Sequence, residues 1–448
     1  MRNKSYSINI SNKIGNFNKN IQVDSDKSIS IRSFLISAIS HNVSTIKNVL
    51  ESDDVYSAIK CLKELGVKIK KKKSKHYLVY GKGLGSLKAK KNQIINCGNS
   101  GTLARLLIGI LSTTPEIDIK ILGDHSLNKR NMSKLISLMN EFGAEFYPKK
   151  NTFPLRMISS AMPVGMNLYK ANVSAQLKSA VIFAGLNSFG TTKIEEDAFK
   201  SRDHTENMLS KNLNTIKITK GKKKIIEVFG KSILEPVDIK IPADPSSAAF
   251  FVALTLLKKN SSLKIKNVGL NPTRIGFYEI LKKNGAKIKF KNIKKIDNEI
   301  VGDIFVKSSK LKPLKVTKEF YVKSTDEYPI MFVIAGLTPG ISTFKGITDL
   351  ANKESNRIKE MQKLLSQVGI KCISNKNEMK IYGQENLKKI YNSIKVPKLG
   401  DHRICMSAAI LSLCTGVKVK INSFETVGTS SPSFLKTIKS LGGKFEIK

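Results

Sequence analysis

Six times along the chain an amphipathic helical stretch closes on a glycine or asparagine, and a strand-like stretch opens one residue later. Five copies carry glycine: LKELGVKIK at Gly66, LMNEFGAEF at Gly143, ILKKNGAKIKF at Gly285, LLSQVGIKC at Gly369 and IKSLGGKFEI at Gly442. The sixth, MLSKNLNTIKI, has Asn212 in that place. The residue just past a helix is commonly left-handed, a conformation that costs least without a Cβ and next least for asparagine. The copies recur every roughly 70 to 85 residues, too long a period for a solenoid and suited to a repeated mixed α/β module. Three modules per domain is the expected division.

The boundary between domains is expected at Ile241-Pro-Ala-Asp-Pro-Ser-Ser, where Asp244 caps and Pro245 opens the helix running through AAFFVALTLL. This predicts a domain of residues 24–242 inserted into one made of 1–23 and 243–448. Stretches such as IKITK and LKIKNV alternate apolar and polar residues, as half-buried strands do.

Charge is the other strong feature. The net charge of +42 suggests nucleic acid, but the lysines are scattered through every segment and there is no tryptophan. Nucleic-acid binders concentrate charge on one face and interleave aromatics for stacking. The excess therefore reads as compositional, favouring solubility and an anionic substrate, with Lys70 to Lys73 a solvated hairpin. Neither a membrane span nor a secretory leader is legible, and five scattered cysteines without a C-x-x-C pair argue against disulfides or zinc. A cytoplasmic protein is expected.

Of the 77 Lys and Arg residues only nine are arginines. In so lysine-rich a chain, an arginine marks a place that needs a planar, bidentate fork for carboxylate or phosphate. Most of the nine lie in short polar stretches that precede or open an apolar helix, and five such clusters, four of them with an arginine, share a design in which free N–H groups and the helix dipole favour anions. The clusters are Asp24 to Arg32, Asn99 to Arg105, Ser174 to Lys178, Lys353 to Arg357 and Gly400 to Arg403. Any one of them is readily explained as a helix cap with a solvated charge. Together, with Asp326-Glu327 and Glu354 as nearby carboxylates, they describe a cleft that clamps an anionic substrate and retains acid/base groups for it. Gly81-Lys-Gly-Leu-Gly85 lacks the following helix of a phosphate loop and reads as a turn.

DKSISIR, NSGTLAR, GDHSLNKR, VSAQLKSA, SRDHTENML, NPTRIG, DEYP, NKESNR and GDHR occur in the order and spacing of the enolpyruvyl-transferase family. Over nearly the whole chain the sequence resembles its shikimate 3-phosphate branch, in that enzyme's second class. The resemblance implies a two-domain inside-out α/β fold of six βαββαβ units, three per domain, with the active site in the cleft between domains. It also implies transfer of the enolpyruvyl group of phosphoenolpyruvate to the 5-hydroxyl of shikimate 3-phosphate, without metal or organic cofactor. No nucleic-acid or membrane partner is expected, and a monomer is preferred.

By motif position, the resemblance assigns shikimate 3-phosphate to Lys27, Ser28, Arg32, Ser174, Gln176, Arg202, Asp326 and Lys353. Phosphoenolpyruvate falls to Lys27, Asn99, Gly101, Arg130, Gln176, Arg357 and Arg403. Asp326 is implied as base toward the 5-hydroxyl and Glu354 as proton donor and acceptor at the methylene carbon, with Lys27 reaching both substrates. Gly101 stands where the family's glyphosate competition is set, and glycine there implies sensitivity. The chain departs from the family pattern at Ile31, Asn131 and Ala351-Asn352, and Val427 to Pro432 lacks a lysine that some members place near the phosphate. The nearest alternative is the sister reaction on UDP-N-acetylglucosamine, whose reactive cysteine loop is not seen here. A non-catalytic nucleic-acid binder would explain the charge alone.

Overall fold

The structure is a computed structural model that describes residues 5–148, 151–171, 174–197, 201–385, 387 and 393–448. Arg2 and Val173, the first residue of VSAQLKSA, lie outside the described residues. The chain divides into two compact units. The terminal unit comprises Met1–Asp24, Pro242–Lys295 and Ile300–Lys448, and the inserted unit Ser25–Ile241 and Ile296–Glu299. Each has its own apolar core.

Six four-stranded sheets share one topology. In the inserted unit, strand Asp238–Lys240 runs parallel to Val43–Lys47, which is antiparallel to His76–Tyr80, itself antiparallel to Lys68–Lys73. Gln93–Asn96, Asp118–Leu122, Leu155–Ile158 and Glu145–Tyr147 repeat this order, as do Tyr169–Ala171, Thr191–Glu196, Lys224–Phe229 and Ile216–Lys220. The terminal unit has three sheets built on the same plan. One of them joins Ile8–Ile10, near the start of the chain, to Glu446–Ile447 at its end. The expected six modules, three to a unit, are present. Lys68–Lys73 is almost wholly exposed, the solvated hairpin expected of a lysine run.

Each unit holds three helices buried on nearly every side, as expected of segments apolar all round. In the inserted unit these are Lys27–Ile39, Gly101–Leu111 and Ala175–Leu186; in the terminal unit, Pro245–Leu257, Tyr328–Gly336 and His402–Thr415. Their small polar residues return hydrogen bonds to the preceding turn, which limits the cost of burying a hydroxyl. Ser30 and Ser33, for example, donate to the carbonyls of Asp26 and Ile29. Gly109 lets two helices approach closely, since a Cβ there would lie 2.6 Å from the Ala180 carbonyl oxygen. Side chains cap five of the six N-termini: Asp26, Ser100, Ser174, Asp244 and Asp401. Asp244 and Pro245 open their helix as the sequence predicts.

The repeated glycines close the outer helices by one device. After helix Asp53–Glu64, left-handed Gly66 donates to the Lys63 carbonyl and Val67 to that of Leu62, which satisfies two carbonyls the helix leaves open. Ala144, Ala286, Ile370 and Gly443 make the equivalent bonds to Met139, Leu281, Leu365 and Ile438. The asparagine copy differs. Asn212 is not left-handed; helix His204–Leu209 ends early, and Asn212 forms a turn whose carbonyl accepts from Thr215 while its side chain accepts from the Glu235 N–H. An asparagine side chain that can cap a distant backbone group removes the need for the helix-closing conformation.

The excursion Ile296–Glu299 is the tip between strands Lys287–Ile296 and Glu299–Lys307. Polar contacts tie it into the inserted unit: Glu299 Oε1 lies 2.7 Å from His204 Nδ1 and accepts from Asn207, while Asp297 accepts from Lys211 Nζ and the Lys240 N–H. Among the described residues no helix is long and apolar enough to cross a membrane.

Candidate active site

The inserted unit sets most of its assigned residues at the N-terminal ends of its three buried helices, where dipoles and N–H groups favour anions; Arg130 and Arg202 come from outside them. Lys27 begins the first helix, and its ammonium lies 2.9 Å from Asp54 Oδ2. One turn on, buried Arg32 donates from Nε to Thr205 Oγ1 at 2.8 Å, from Nη2 to Ser179 Oγ at 3.2 Å and from Nη1 to the Ser28 carbonyl at 3.1 Å. Ser28 thus contributes its backbone to the placement of Arg32.

At the second helix, Asn99 donates to Asp124 at 2.7 Å, and Arg130 Nη2 reaches the backbone and side-chain oxygens of Asn99, each at 3.4 Å. Gly101 sits beneath two guanidinium groups: a Cβ there would lie 2.6 Å from Arg130 Nη1 and 2.8 Å from Arg105 Nη1. At the third helix, Ser174 is the cap. Gln176 accepts from Arg105 at 2.9 Å and donates to Thr102 at 3.0 Å, so its amide orientation is fixed from the neighbouring helix. Arg202 stands two residues before helix His204–Leu209.

The terminal unit carries a second cluster, centred on Arg357. This guanidinium is buried and paired with Asp401 through Nε at 2.9 Å and Nη2 at 3.3 Å, while Nη2 also donates to Glu354 at 2.6 Å. Asp326 lies 3.8 Å from Arg357 Nη1 and 3.9 Å from Arg403 Nη2. Burial opposes the charge on Arg357, but Asp401, Glu354 and Asp326 outweigh it and hold the pKa above the ordinary arginine value. Nη1 makes no hydrogen bond among the described residues, which leaves a buried donor 3.8 Å from the partly exposed Asp326 carboxylate. Asp326, Glu354, Arg357 and Arg403 are therefore together. Lys353 is not among them: its ammonium rests on Asp349, which also accepts from Tyr321.

Several contributors were not legible beforehand. Asp54 lies outside the quoted motifs, and Asp124, Ser179 and Thr205 lie inside them without an assigned role, yet each holds an assigned side chain. A buried quartet was equally hidden. Lys178 and Lys224 alternate with Glu196 and Glu206 at 2.6 to 3.3 Å. At Glu206, burial is the largest influence and favours the neutral acid, but the two lysines outweigh it and bring the carboxyl down to about 2. Lys178, expected in a cluster that clamps an anionic substrate, is instead fully buried against Glu196 and Glu206, and nothing in the sequence marks it or Lys224 as internal.

Residues 11–438 match the family model described as EPSP synthase (3-phosphoshikimate 1-carboxyvinyltransferase). The 3-phosphoshikimate 1-carboxyvinyltransferase of Zymomonas mobilis is 35% identical over 444 residues, covering 98% of this chain and 97% of the relative. That of Petrotoga mobilis is 37% identical over 428 residues, covering 95% and 97%. The solved EPSP synthase of Acinetobacter baumannii superposes with a TM-score of 0.84 at 32% identity, over 99% of this chain and all of the other. Agreement of sequence and fold over almost the full length of both partners leaves one assignment: the chain belongs to the EPSP synthase family.

Proposed function

We propose that the chain transfers the enolpyruvyl group of phosphoenolpyruvate to the 5-hydroxyl of shikimate 3-phosphate, releasing inorganic phosphate. Family membership supports the reaction. The observation that best supports the residue roles is the Arg357 cluster, where a buried, fixed guanidinium stands between Glu354 and Asp326 with one N–H group unsatisfied.

In this reading Arg357 and Arg403 receive the anionic oxygens of phosphoenolpyruvate, together with Asn99, Gly101, Arg130, Gln176 and Lys27 of the inserted unit. Lys27, Ser28, Arg32, Ser174, Gln176 and Arg202 receive shikimate 3-phosphate, with Asp326 and Lys353 from the terminal unit. The 5-hydroxyl oxygen adds to C2 of phosphoenolpyruvate while Asp326 takes its proton and Glu354 gives one to the methylene carbon. The tetrahedral adduct then expels phosphate, which leaves with the proton taken from the hydroxyl, as Glu354 recovers a proton from the new methyl group; this restores the double bond and both carboxyl groups. Glu354 serves in both directions, as general acid/base groups do when the same carbon gains and loses a proton. Asp401 holds Arg357 without touching substrate. The chain is taken to act as a monomer, and sedimentation at assay concentration tests that.

The deciding experiment is phosphate release from phosphoenolpyruvate by the purified protein, with shikimate 3-phosphate and, in parallel, with UDP-N-acetylglucosamine. Release with shikimate 3-phosphate alone is expected. Release only with the nucleotide sugar would overturn the acceptor, and release with neither would overturn the activity.

A further inference from the structure

We propose that Thr205, with Ser179 behind it, is a positioning residue that fixes Arg32 for shikimate 3-phosphate. The inference rests on the proposed role of Arg32 in that site. Two successive residues of helix Ala175–Leu186, Lys178 and Ser179, face two successive residues of helix His204–Leu209, Thr205 and Glu206. They form two adjacent rungs: an ion pair from Lys178 Nζ to Glu206 Oε1 at 2.6 Å, and a hydroxyl pair between Ser179 and Thr205 at 2.8 Å. Arg32 plugs onto the hydroxyl rung, its Nε on Thr205 and its Nη2 on Ser179.

The chemistry of the rungs explains their arrangement. Nε and Nη2 present parallel N–H bonds, a fork that suits two oxygens held side by side. A carboxylate on that edge would neutralise the guanidinium; these two hydroxyls orient it and leave its charge. A hydroxyl by itself rotates freely, and here each is restrained by the other. Helix His204–Leu209 has only six residues, too short to be stable alone. The Glu206 ion pairs to Lys178 and Lys224 therefore set where the Thr205 hydroxyl stands. Thr205 and Ser179 are buried, and their hydroxyls are engaged with each other and with Arg32.

The test uses the full-length enzyme with both substrates varied and thermal unfolding measured in parallel. Thr205→Val keeps the shape and removes the hydroxyl. It is expected to raise KM for shikimate 3-phosphate by about 10-fold or more, the effect of losing a hydrogen bond to a charged group, while KM for phosphoenolpyruvate moves less than about 2-fold. Thr205→Ser is expected to restore most of the affinity, and Ser179→Ala to show a smaller rise of the same kind. Combined with Arg32→Ala, Thr205→Val is expected to add little, because the group it positions is gone. Equal changes in both KM values that follow the loss of stability, or full additivity with Arg32→Ala, would overturn the positioning role. If Arg32→Ala alone leaves KM for shikimate 3-phosphate unchanged, the site reading itself is wrong, which separates that failure from failure of the inference. Should Thr205→Val not fold, the same split is read on Ser179→Ala.

Discussion

Arg357 and Asp401, 44 positions apart, form a two-point ion pair in which both side chains are withdrawn from water. Asp401 also caps the helix His402–Thr415 and accepts from Ser355, so one carboxylate ties the arginine to the start of a buried helix. Removing either partner leaves the other charge buried, which typically costs about 3 to 5 kcal/mol. Asp401→Ala is therefore expected to lower the melting temperature and to release Arg357 from its position. Arg357→Ala is expected to cut kcat/KM by far more than tenfold, in line with about 2 to 5 kcal/mol for a desolvated charge pair that loses one partner. A loss below tenfold would remove Arg357 from the site.

Gly101 tests the residues that the inserted unit is proposed to offer phosphoenolpyruvate. An added methyl would meet the ends of Arg130 and Arg105, which must then move, and both are flexible enough to do so without unfolding the helix. Gly101→Ala is accordingly expected to leave stability nearly unchanged and to raise KM for phosphoenolpyruvate about 5-fold or more, with a smaller effect on shikimate 3-phosphate. Inhibition by glyphosate should weaken in the same variant, as for any anion that Arg130 receives. Unchanged phosphoenolpyruvate kinetics would separate the pair from that substrate.

Glu354 touches Arg357 at 2.6 Å and is mostly withdrawn from solvent, so a neutral amide fits the space and keeps one hydrogen-bond acceptor. Glu354→Gln removes proton transfer while preserving the contact. The expected result is a fall in kcat of about 10² to 10⁴ with both KM values within a few-fold. A rise in KM for phosphoenolpyruvate with kcat intact would instead make Glu354 a binding group held against Arg357.

What the sequence reveals here is local in origin. The cap at Asp244, the proline at its N1 position and the left-handed glycines at 66, 143, 285, 369 and 442 follow from backbone chemistry over a few residues, and they divide the chain into its modules. The fourteen assigned site residues follow motif order, and the structure brings Asp326, Glu354, Arg357 and Arg403 together in one unit and sets Lys27, Asn99, Gly101, Ser174 and Gln176 at helix starts in the other, with Arg32 further along the first helix and Arg130 reaching Asn99. Long-range polar pairing was not legible. Lys178 meets Glu206 and Arg32 meets Thr205 because three helices and a sheet converge, and nothing in a lysine-rich sequence marks which lysine is inside. Asn212 shows the same limit from the other side, since its distant partner Glu235 overrides a local preference.

The buried quartet makes stability depend on pH in a way that surface ion pairs do not. Lys178 and Lys224 bring Glu206 from the ordinary value of 4.5 down to about 2, against the opposing effect of burial. Because the folded-state pKa is the lower one, the unfolded chain binds the proton more readily. The stabilisation is therefore fully present above about pH 5 and is lost as the pH falls toward 2, in total about 3 kcal/mol. Other carboxylates held low, such as Glu51 and Asp303, shift stability in the same direction, so the wild type alone does not isolate the effect. Comparison with Glu206→Gln does. The variant is expected to be much less stable near pH 6, where it buries two ammonium groups with only Glu196 to balance them. The gap in urea-unfolding free energy between the two proteins should narrow by about 1 to 1.5 kcal/mol on acidification to about pH 3.5, where the wild type has begun to lose the term that the variant never had. A gap that stays constant over that range would mean that Glu206 titrates alike in the folded and unfolded chain, and a gap that moves the other way that it is protonated in the folded protein, with the quartet held by hydrogen bonds in place of charge.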